Sequence, residues 1–458
     1  MTELAGASKP QSITSWYTQA VLMSWLGHAE YNYAEKYFLS GSFRRDGSSV
    51  FGDNNKWGNF FSVGASWRAK QEDFFRDVDW LSDLKFRVSY GTSGNNAGVG
   101  RYQSLGLWTA SDSYQYGSNS GLAHTSLANP DLRWEKQKML NIGLDFGLWK
   151  NRLAGSVEFF RKISDDLLYD FPLPAADGIT SVMMNLAKVQ NQGVELVLNG
   201  TPVQTRDFAW DVNFNFSYNA DKILDLAGDD DITMGDTKKI WKVGKSQYEF
   251  YMPTWAGVDP ANGDPLWKTA DGTTNNYSLA DYEMQGRATP WGFGSLTNSL
   301  SWKGLNLSFM FYYNLGGKFF DSLYANLMHE GNNSGKNISI DEMRAWSPSN
   351  KNTDVPKYIN SNDNASNSPS SRFLYDATYL KLKNVNLSYS LPKSLLQKVK
   401  AVSGVRFYLN ADNLFTVFKD KGYKGYDDID IFGIGGYDAY ANYIPLSRTY
   451  TLGVNITF

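Results

Sequence analysis

From Asp207 to Asn219 the chain alternates without interruption. Phe208, Trp210, Val212, Phe214, Phe216 and Tyr218 fall on one set of positions. Asp207, Ala209, Asp211, Asn213, Asn215, Ser217 and Asn219 fall on the other. Successive side chains of a strand point to opposite faces, so this segment is a strand with one aromatic and one polar face. Strands of water-soluble proteins usually run about 5–6 residues. This run is about twice that, close to the roughly 9–11 residues of a tilted strand that crosses a bilayer. An apolar face toward lipid and a polar face toward water is the arrangement of a membrane β-barrel.

The same two-faced pattern recurs. Leu84, Phe86, Val88 and Tyr90 alternate with Lys85, Arg87 and Ser89; Leu140, Ile142, Leu144, Phe146 and Leu148 alternate with Asn141, Gly143, Asp145 and Gly147. The pattern predicts strands over 20–33, 36–46, 59–69, 83–91, 137–149, 152–164, 188–201, 207–219, 292–302, 304–314, 375–391, 403–412 and 446–458. The expected class is all-β, an antiparallel transmembrane barrel.

The connections alternate in length. Ala34-Glu35, Lys150-Asn151, Pro202 to Arg206 and Lys303 are short, whereas 92–136, 165–187, 220–291, 315–374 and 413–445 are long. Membrane barrels have short periplasmic turns and long extracellular loops. Trp149 and Trp302 stand beside short turns, where an interfacial aromatic girdle belongs. The last strand puts Tyr450, Leu452, Val454, Ile456 and Phe458 on one face and ends the chain on that Phe.

Composition agrees with a barrel more than with its rivals. Mean hydropathy is -0.42, and no apolar run approaches the roughly 18 residues of a spanning helix. A barrel hides its membrane signal because half of each strand faces a polar lumen. Aromatic residues make up 15% of the 458 residues, and there is no cysteine to build a disulfide framework or a thiol nucleophile. The net charge of -3 supplies no basic surface for nucleic acid. The three histidines, His28, His124 and His329, fit no catalytic or HExxH spacing, so enzymatic chemistry is not expected.

Several segments carry a family resemblance. They are Tyr31-Asn-Tyr-Ala-Glu-Lys-Tyr-Phe-Leu-Ser-Gly-Ser-Phe-Arg-Arg-Asp-Gly-Ser-Ser, Trp80-Leu-Ser-Asp-Leu-Lys-Phe-Arg-Val-Ser-Tyr-Gly-Thr-Ser-Gly-Asn and Asn129-Pro-Asp-Leu-Arg-Trp-Glu. Gly257-Val-Asp-Pro-Ala-Asn-Gly-Asp-Pro-Leu-Trp, Tyr379-Leu-Lys-Leu-Lys-Asn-Val-Asn-Leu-Ser-Tyr and Ala411-Asp-Asn-Leu-Phe complete the set. In this order they resemble the barrel of the SusC/RagA-type TonB-dependent outer-membrane transporters. The resemblance implies a barrel of about 22 strands closed by an N-terminal plug. It implies uptake of oligomeric nutrients, glycans or peptides, under a SusD-like lipoprotein lid, with energy from the TonB complex. Counted from the C-terminus, the strands here correspond to the last 13 or so of that barrel. Residues 1–19 are then expected to be the remnant of an extracellular loop and 20–458 an incomplete barrel. No signal peptide, plug or TonB-contact segment is read in the chain, so the TonB complex would be reached only through the missing N-terminal region. The rival reading is a secreted or surface β-rich carbohydrate-binding or structural protein, which would dissolve without detergent.

Candidate ligand contacts lie in the long loops. Trp108, Trp241, Trp255, Trp267, Tyr423 and Tyr426 offer aromatic faces beside polar groups, suited to sugar or peptide cargo or to packing of the loops on one another. Asp259, Asn262 and Asp264 could seat calcium through oxygen ligands, or could simply belong to the turn that Pro260 and Gly263 shape. The acidic run Asp229-Asp230-Asp231 reads as a solvated loop tip. Arg87, Asp145, Glu158, Glu195, Asp207, Asp211 and Arg406 are expected on the luminal face, touching cargo or plug or forming a hydrated wall.

Overall fold

The structure is a computed structural model that describes residues 17–117, 119–173, 179, 181–226, 231–234, 238–333, 335–396, 402–423 and 447–458. Thirteen strands form one antiparallel meander: β1 (Leu22–Tyr33), β2 (Tyr37–Ser48), β3 (Trp57–Arg68), β4 (Leu81–Asn95), β5 (Glu135–Leu148), β6 (Leu153–Pro172) and β7 (Ser181–Gln204). The series continues with β8 (Phe208–Leu226), β9 (Gly292–Trp302), β10 (Leu305–Leu315), β11 (Tyr379–Ser390), β12 (Gly404–Phe418) and β13 (Thr449–Thr457). Each pairs with its sequence neighbour, and β1 and β13 stand at the two ends of the order.

Register turns the alternation of each strand into a continuous apolar face. Leu39, Ala65, Val88, Ile142, Phe159, Val194 and Tyr218 lie opposite one another from β2 to β8. Leu198, Phe214, Leu296 and Phe311 continue a parallel row from β7 to β10. Leu307, Leu387, Leu409 and Leu452 extend the band to β13. These side chains are not hidden by protein: Val88 is 46% exposed and Ile142 50%. A contiguous apolar surface of this extent has a hydrocarbon neighbour, and in a barrel that neighbour is lipid.

Aromatic rings flank the band. At the loop end Trp25 stacks on Trp57 at 5.3 Å, with the Arg45 guanidinium over the same ring. At the turn end Trp67 stacks on Phe86, and Trp80, Trp149 and Trp302 are all more than half exposed. Amphipathic rings favour both membrane–water boundaries.

The turns follow from two-residue hairpin geometry. Lys303 and Gly304, between β9 and β10, have φ of 47° and 88°. Ala34 and Glu35, between β1 and β2, have φ of 54° and 55°, and the Lys36 N–H donates to the Tyr33 carbonyl. Positive φ at both central residues marks a type I′ turn, whose twist matches that of the flanking strands.

Two expectations change. β6 and β7 run past 164 and start before 188, and β12 runs past 412. Register shifts lie between Ser164 and Leu167, with Asp166 at φ 60°, and Asn413 sits at φ 55°. A bulge reverses the alternation, so the periodic pattern stops where the strand does not. The long connections are also structured. The segment 220–291 holds a four-stranded sheet (Ile232–Met234, Lys239–Trp241, Glu249–Pro253, Tyr282–Arg287) and a three-stranded one (Trp255–Val258, Pro265–Thr269, Gly272–Thr274). The segment 315–374 contains helix α1 (Ser322–Leu327), and 92–136 a hairpin of Leu107–Tyr116 with Asn119–Ser126.

Among the described residues, three buried apolar clusters all involve these loops. One gathers Phe250, Met252, Phe319, Phe320, Met328 and Phe373; another Leu186, Val189, Ile223, Leu226 and Ile232; the third Val50, Phe51, Phe60, Leu132 and Trp134. The protein is therefore built as a lipid-facing sheet carrying a second, conventionally cored layer at its loop end.

Candidate cargo-binding surface of the loops and inner wall

The segment Asn129 to Glu135 ties the first loops together. Leu132 and Trp134 are buried, the Gly52 N–H donates to the Leu132 carbonyl, and the Trp134 indole donates to the Lys56 carbonyl. The Asn129 amide donates to the Met183 carbonyl, which links this clamp to the extension of β7. Gly52 lies so close to Pro130 that a Cβ would stand 2.0 Å from its carbonyl oxygen.

A buried ion pair organises the second group of loops. Glu330 is fully buried and Arg372 nearly so; the guanidinium donates to Glu330 at 2.6 and 3.3 Å and to the Ser366 carbonyl at 2.9 Å. Ser366 donates to the same carboxylate, and the Glu330 N–H donates to Glu342. Arg372 also lies 4.8 Å over the Trp255 ring, so one side chain couples 315–374 to 220–291. The Trp255 N–H to Ser371, the Tyr277 hydroxyl to the Pro369 carbonyl and the Trp346 indole to the Pro260 carbonyl add to this link. Nothing in the sequence announces the pair: its members are 42 residues apart and belong to no periodic pattern.

The expected ligand aromatics divide by environment. Trp108 is 65% exposed and stacks on His124 at 4.8 Å on an outer hairpin. Trp241 is half-buried against Tyr169, its indole donating to the Gln247 carbonyl. Trp255 is half-buried under Arg372 and edge-on to Trp267. Trp267 is fully buried between Trp255 and Tyr277, so its faces are packing surfaces. Tyr423 is packed by Phe319, Tyr375 and Phe418. Tyr426, Asp229 and Asp230 lie outside the described residues.

In the turn from Asp259 to Asp264, the Asp259 and Asn262 side chains accept from the Ala261 and Asp264 N–H groups. Asp264 is paired with Lys357 at 2.8 Å and accepts from Asn275. Partial burial opposes its charge, yet these partners hold the carboxyl below its usual range. In this structure Asp259 and Asn262 cap backbone N–H groups of the turn, and Asp264 pairs with Lys357. Among the described residues no group of three or more His, Cys, Asp or Glu has metal-holding geometry. His329 is buried, its Nδ1 accepting from the Gly331 and Asn333 N–H groups; His28 meets Glu30 at 3.1 Å.

On the inner face, Arg87 grips Asp145 with two bonds of 2.8 Å and reaches Glu158 at 3.2 Å. These residues line a groove of about 870 Å³ along β1 to β6, shared with Ser40, Ser66 and Lys85. From β8 to β10 the wall changes character. Among its inward positions are Asn213, Asn215, Ser217, Thr297, Ser299 and Ser308, beside Phe293, Met310 and Tyr312, with Asp211 near the turn end and Asp221 at the loop end. Asp211 accepts from Thr201 at 2.6 Å, and Asn215 donates to Ser295.

A sheet with an apolar outward band, a polar inner wall and heavy loops at one end defines an outer-membrane β-barrel protein. Residues 5–457 match the family model described as TonB dependent receptor-like, beta-barrel, and the chain belongs to that receptor family. It is 31% identical to TonB-dependent receptor P3 of Formosa agariphila, over 99% of this chain and 47% of the relative. It is 29% identical to TonB-dependent receptor SusC of Bacteroides thetaiotaomicron, over 98% of this chain and 45% of the relative. A solved structure of the RagAB peptide transporter aligns with a TM-score of 0.84 at 34% identity, covering 96% of this chain and 48% of that one. The chain thus spans about half the length of the relatives it matches. Membership places it in the outer membrane and sets aside the rival of a secreted or surface β-rich carbohydrate-binding or structural protein.

Proposed function

We propose that this chain forms the barrel wall and much of the extracellular face of a TonB-dependent importer of oligomeric nutrients, glycans or peptides. The observation that carries this reading is the likeness to the RagAB peptide transporter over nearly the whole chain, loops included. SusC, a second relative, supports the same class. Capture falls to the loop layer, where Trp108, at 65% exposure, is the most exposed of the described loop tryptophans. A SusD-like lipoprotein is the expected lid. The loop 315–374 carries Ile340 and Met343 at 79% and 84% exposure, with Tyr358 and Ile359 also exposed. Exposed apolar side chains of this size suit a protein partner. The TonB complex is the expected source of energy. The function needs no catalysis.

Uptake assays test the reading. Cells lacking related transporters but expressing the full receptor are given labelled oligosaccharides and oligopeptides. Uptake should require TonB and stop when the proton gradient collapses, and Trp108→Ala should reduce capture. Uptake that survives loss of TonB, or none of either cargo class, would overturn it.

A further inference from the structure

The outward face of the sheet does not stay apolar up to its loop end. Register gives the facing: Val88, Ile142, Phe159 and Val194 form one lipid-facing row. One step along the strands, still on that face, lie Tyr90, Leu140, Arg161 and Gln192. The next step brings Lys138, Ile163, Gln190 and Lys222 into line, and the one after it Lys136 opposite Asp165. Counting residues up from the turns gives the level. Arg161 is eight residues from Leu153, as Trp25 is from Tyr33 and Arg45 from Tyr37; Lys138 is ten from Leu148, and Trp57 eleven from Arg68. The basic side chains therefore begin at the height of the loop-end girdle and continue outward from it.

Charge on this patch is unbalanced. Lys138 and Lys188 share one carboxylate, Asp165, with Lys188 at 3.0 Å. Asp166 is taken by Arg133 at 2.6 Å, and Asp225, opposite Lys188 in register, makes no ion pair among the described residues. Lys136 and Lys222 are exposed and have no carboxylate partner among the described residues. Arg161 is exposed too, and its Nε and Nη2 donate to a single oxygen of Gln190 at 3.0 and 2.7 Å. Gln190 is only 9% exposed and is anchored in turn by donating to Gln192. A buried amide thus holds the guanidinium in place and leaves both Nη1 N–H groups unused. Simple solvation does not explain an arginine braced above Phe159 on the side that faces lipid.

We propose that this patch binds the phosphorylated headgroup of a glycolipid of the outer leaflet. In an outer membrane the leaflet at the loop end is the one that carries such lipids. The acyl chains lie against the band that holds Phe159, Ile142 and Val88. A phosphate above them meets Arg161, whose planar guanidinium suits phosphate oxygens, and Lys138, whose one carboxylate is shared with Lys188. Lys136 and Lys222 extend the positive surface toward the loops, where further phosphates or acidic sugars of the headgroup stand. Basic clusters at a membrane boundary recognise anionic headgroups by this attraction. The site lies on the outer side of the wall, and it is independent of the cargo.

The test uses the full receptor, solubilised in a neutral detergent and stripped of co-purified lipid. Native mass spectrometry follows binding of diphosphorylated lipid A, of the same lipid with its phosphates removed, and of phosphatidylglycerol. Lipid A should bind, and Arg161→Gln with Lys138→Gln should weaken it about tenfold, the loss of charge-assisted bonds to phosphate. Lys150→Gln with Lys303→Gln removes the same charge at the turns and should leave binding unchanged. Equal lipid A binding by the patch variant, or equal binding of the dephosphorylated lipid, overturns the headgroup site. Phosphatidylglycerol bound as tightly, and with the same sensitivity to the patch variant, overturns the glycolipid assignment. A patch variant that splits a two-copy complex while its bound lipid stays constant gives the surface to a second copy of the receptor and overturns the proposal.

Discussion

At the scale of single residues, the inward or outward direction of a side chain decides its tolerance. Phe214 lies in the lipid-facing row with Leu198 and Leu296, and neighbouring Asn213 faces the lumen. Phe214→Arg places a charge at mid-membrane and should cost about 2–4 kcal/mol; Asn213→Arg should cost far less. Folded yield in lipid vesicles reads the difference, and equal damage would show the facing to be wrong. In the loop layer, Arg372→Ala strips the buried Glu330 of its counter-charge. Removing one partner of a buried pair costs about 3–5 kcal/mol. The loop 315–374 should become open to trypsin while the strands stay protected.

Asp321 supplies a pH dependence with a defined sign. It caps helix α1 by accepting from the Tyr324 N–H, yet burial raises its carboxyl from 3.8 to about 6. The folded form holds the proton more tightly than the unfolded one. Its stabilising contribution is therefore complete below the unfolded value and is lost as pH rises through about 6, a change of roughly 3 kcal/mol across the interval. Asp321→Asn keeps a capping oxygen without the charge. Hydrogen exchange of α1 should quicken between pH 4 and 7 in the wild type beyond the intrinsic trend, and the variant should lack that excess.

At the scale of elements, hairpins and extensions behave separately. Lys303 occupies a left-handed position that Asn tolerates better, and Asn-Gly is the preferred type I′ pair. Lys303→Asn should stabilise the β9–β10 hairpin by roughly 0.5 kcal/mol, since the exposed Lys303–Asp207 contact it removes at 3.6 Å is worth little. Gly304→Ala should do the reverse, because its φ is 88° and a Cβ would meet the Ser390 carbonyl oxygen at 2.8 Å. Urea unfolding in micelles measures both. The extensions of β7 and β8 depend on their own core, where Ile223 is fully buried. Ile223→Ala should cost about 2–5 kcal/mol locally, seen as faster amide exchange there with membrane insertion unchanged.

At the scale of the whole molecule, the two girdles fix where the bilayer sits. Trp25 and Trp57 mark one boundary and Trp149 and Trp302 the other, while Trp108, Trp255 and Trp267 belong to the loop layer. With single-Trp variants in vesicles, bromine near the lipid head group should quench the girdle tryptophans more than bromine at the chain end. The loop tryptophans should resist both. Strong quenching of Trp267 by either lipid would displace the membrane from this position.

The strands were legible because their physics is local. A bilayer imposes one environment on each face, so Phe208 to Tyr218 and Tyr450 to Phe458 declare their direction residue by residue. The loop clamp was visible only as the motif Asn129 to Glu135, without its contacts. Where the pattern broke, at Asp166 and Asn413, the cause was a left-handed residue that reverses the alternation without ending the strand. Trp108 and Trp267 were indistinguishable as letters, and only packing made one a surface and the other a core. The pairing of Arg372 with Glu330 likewise needed the tertiary structure, because burial joins positions that no sequence period connects.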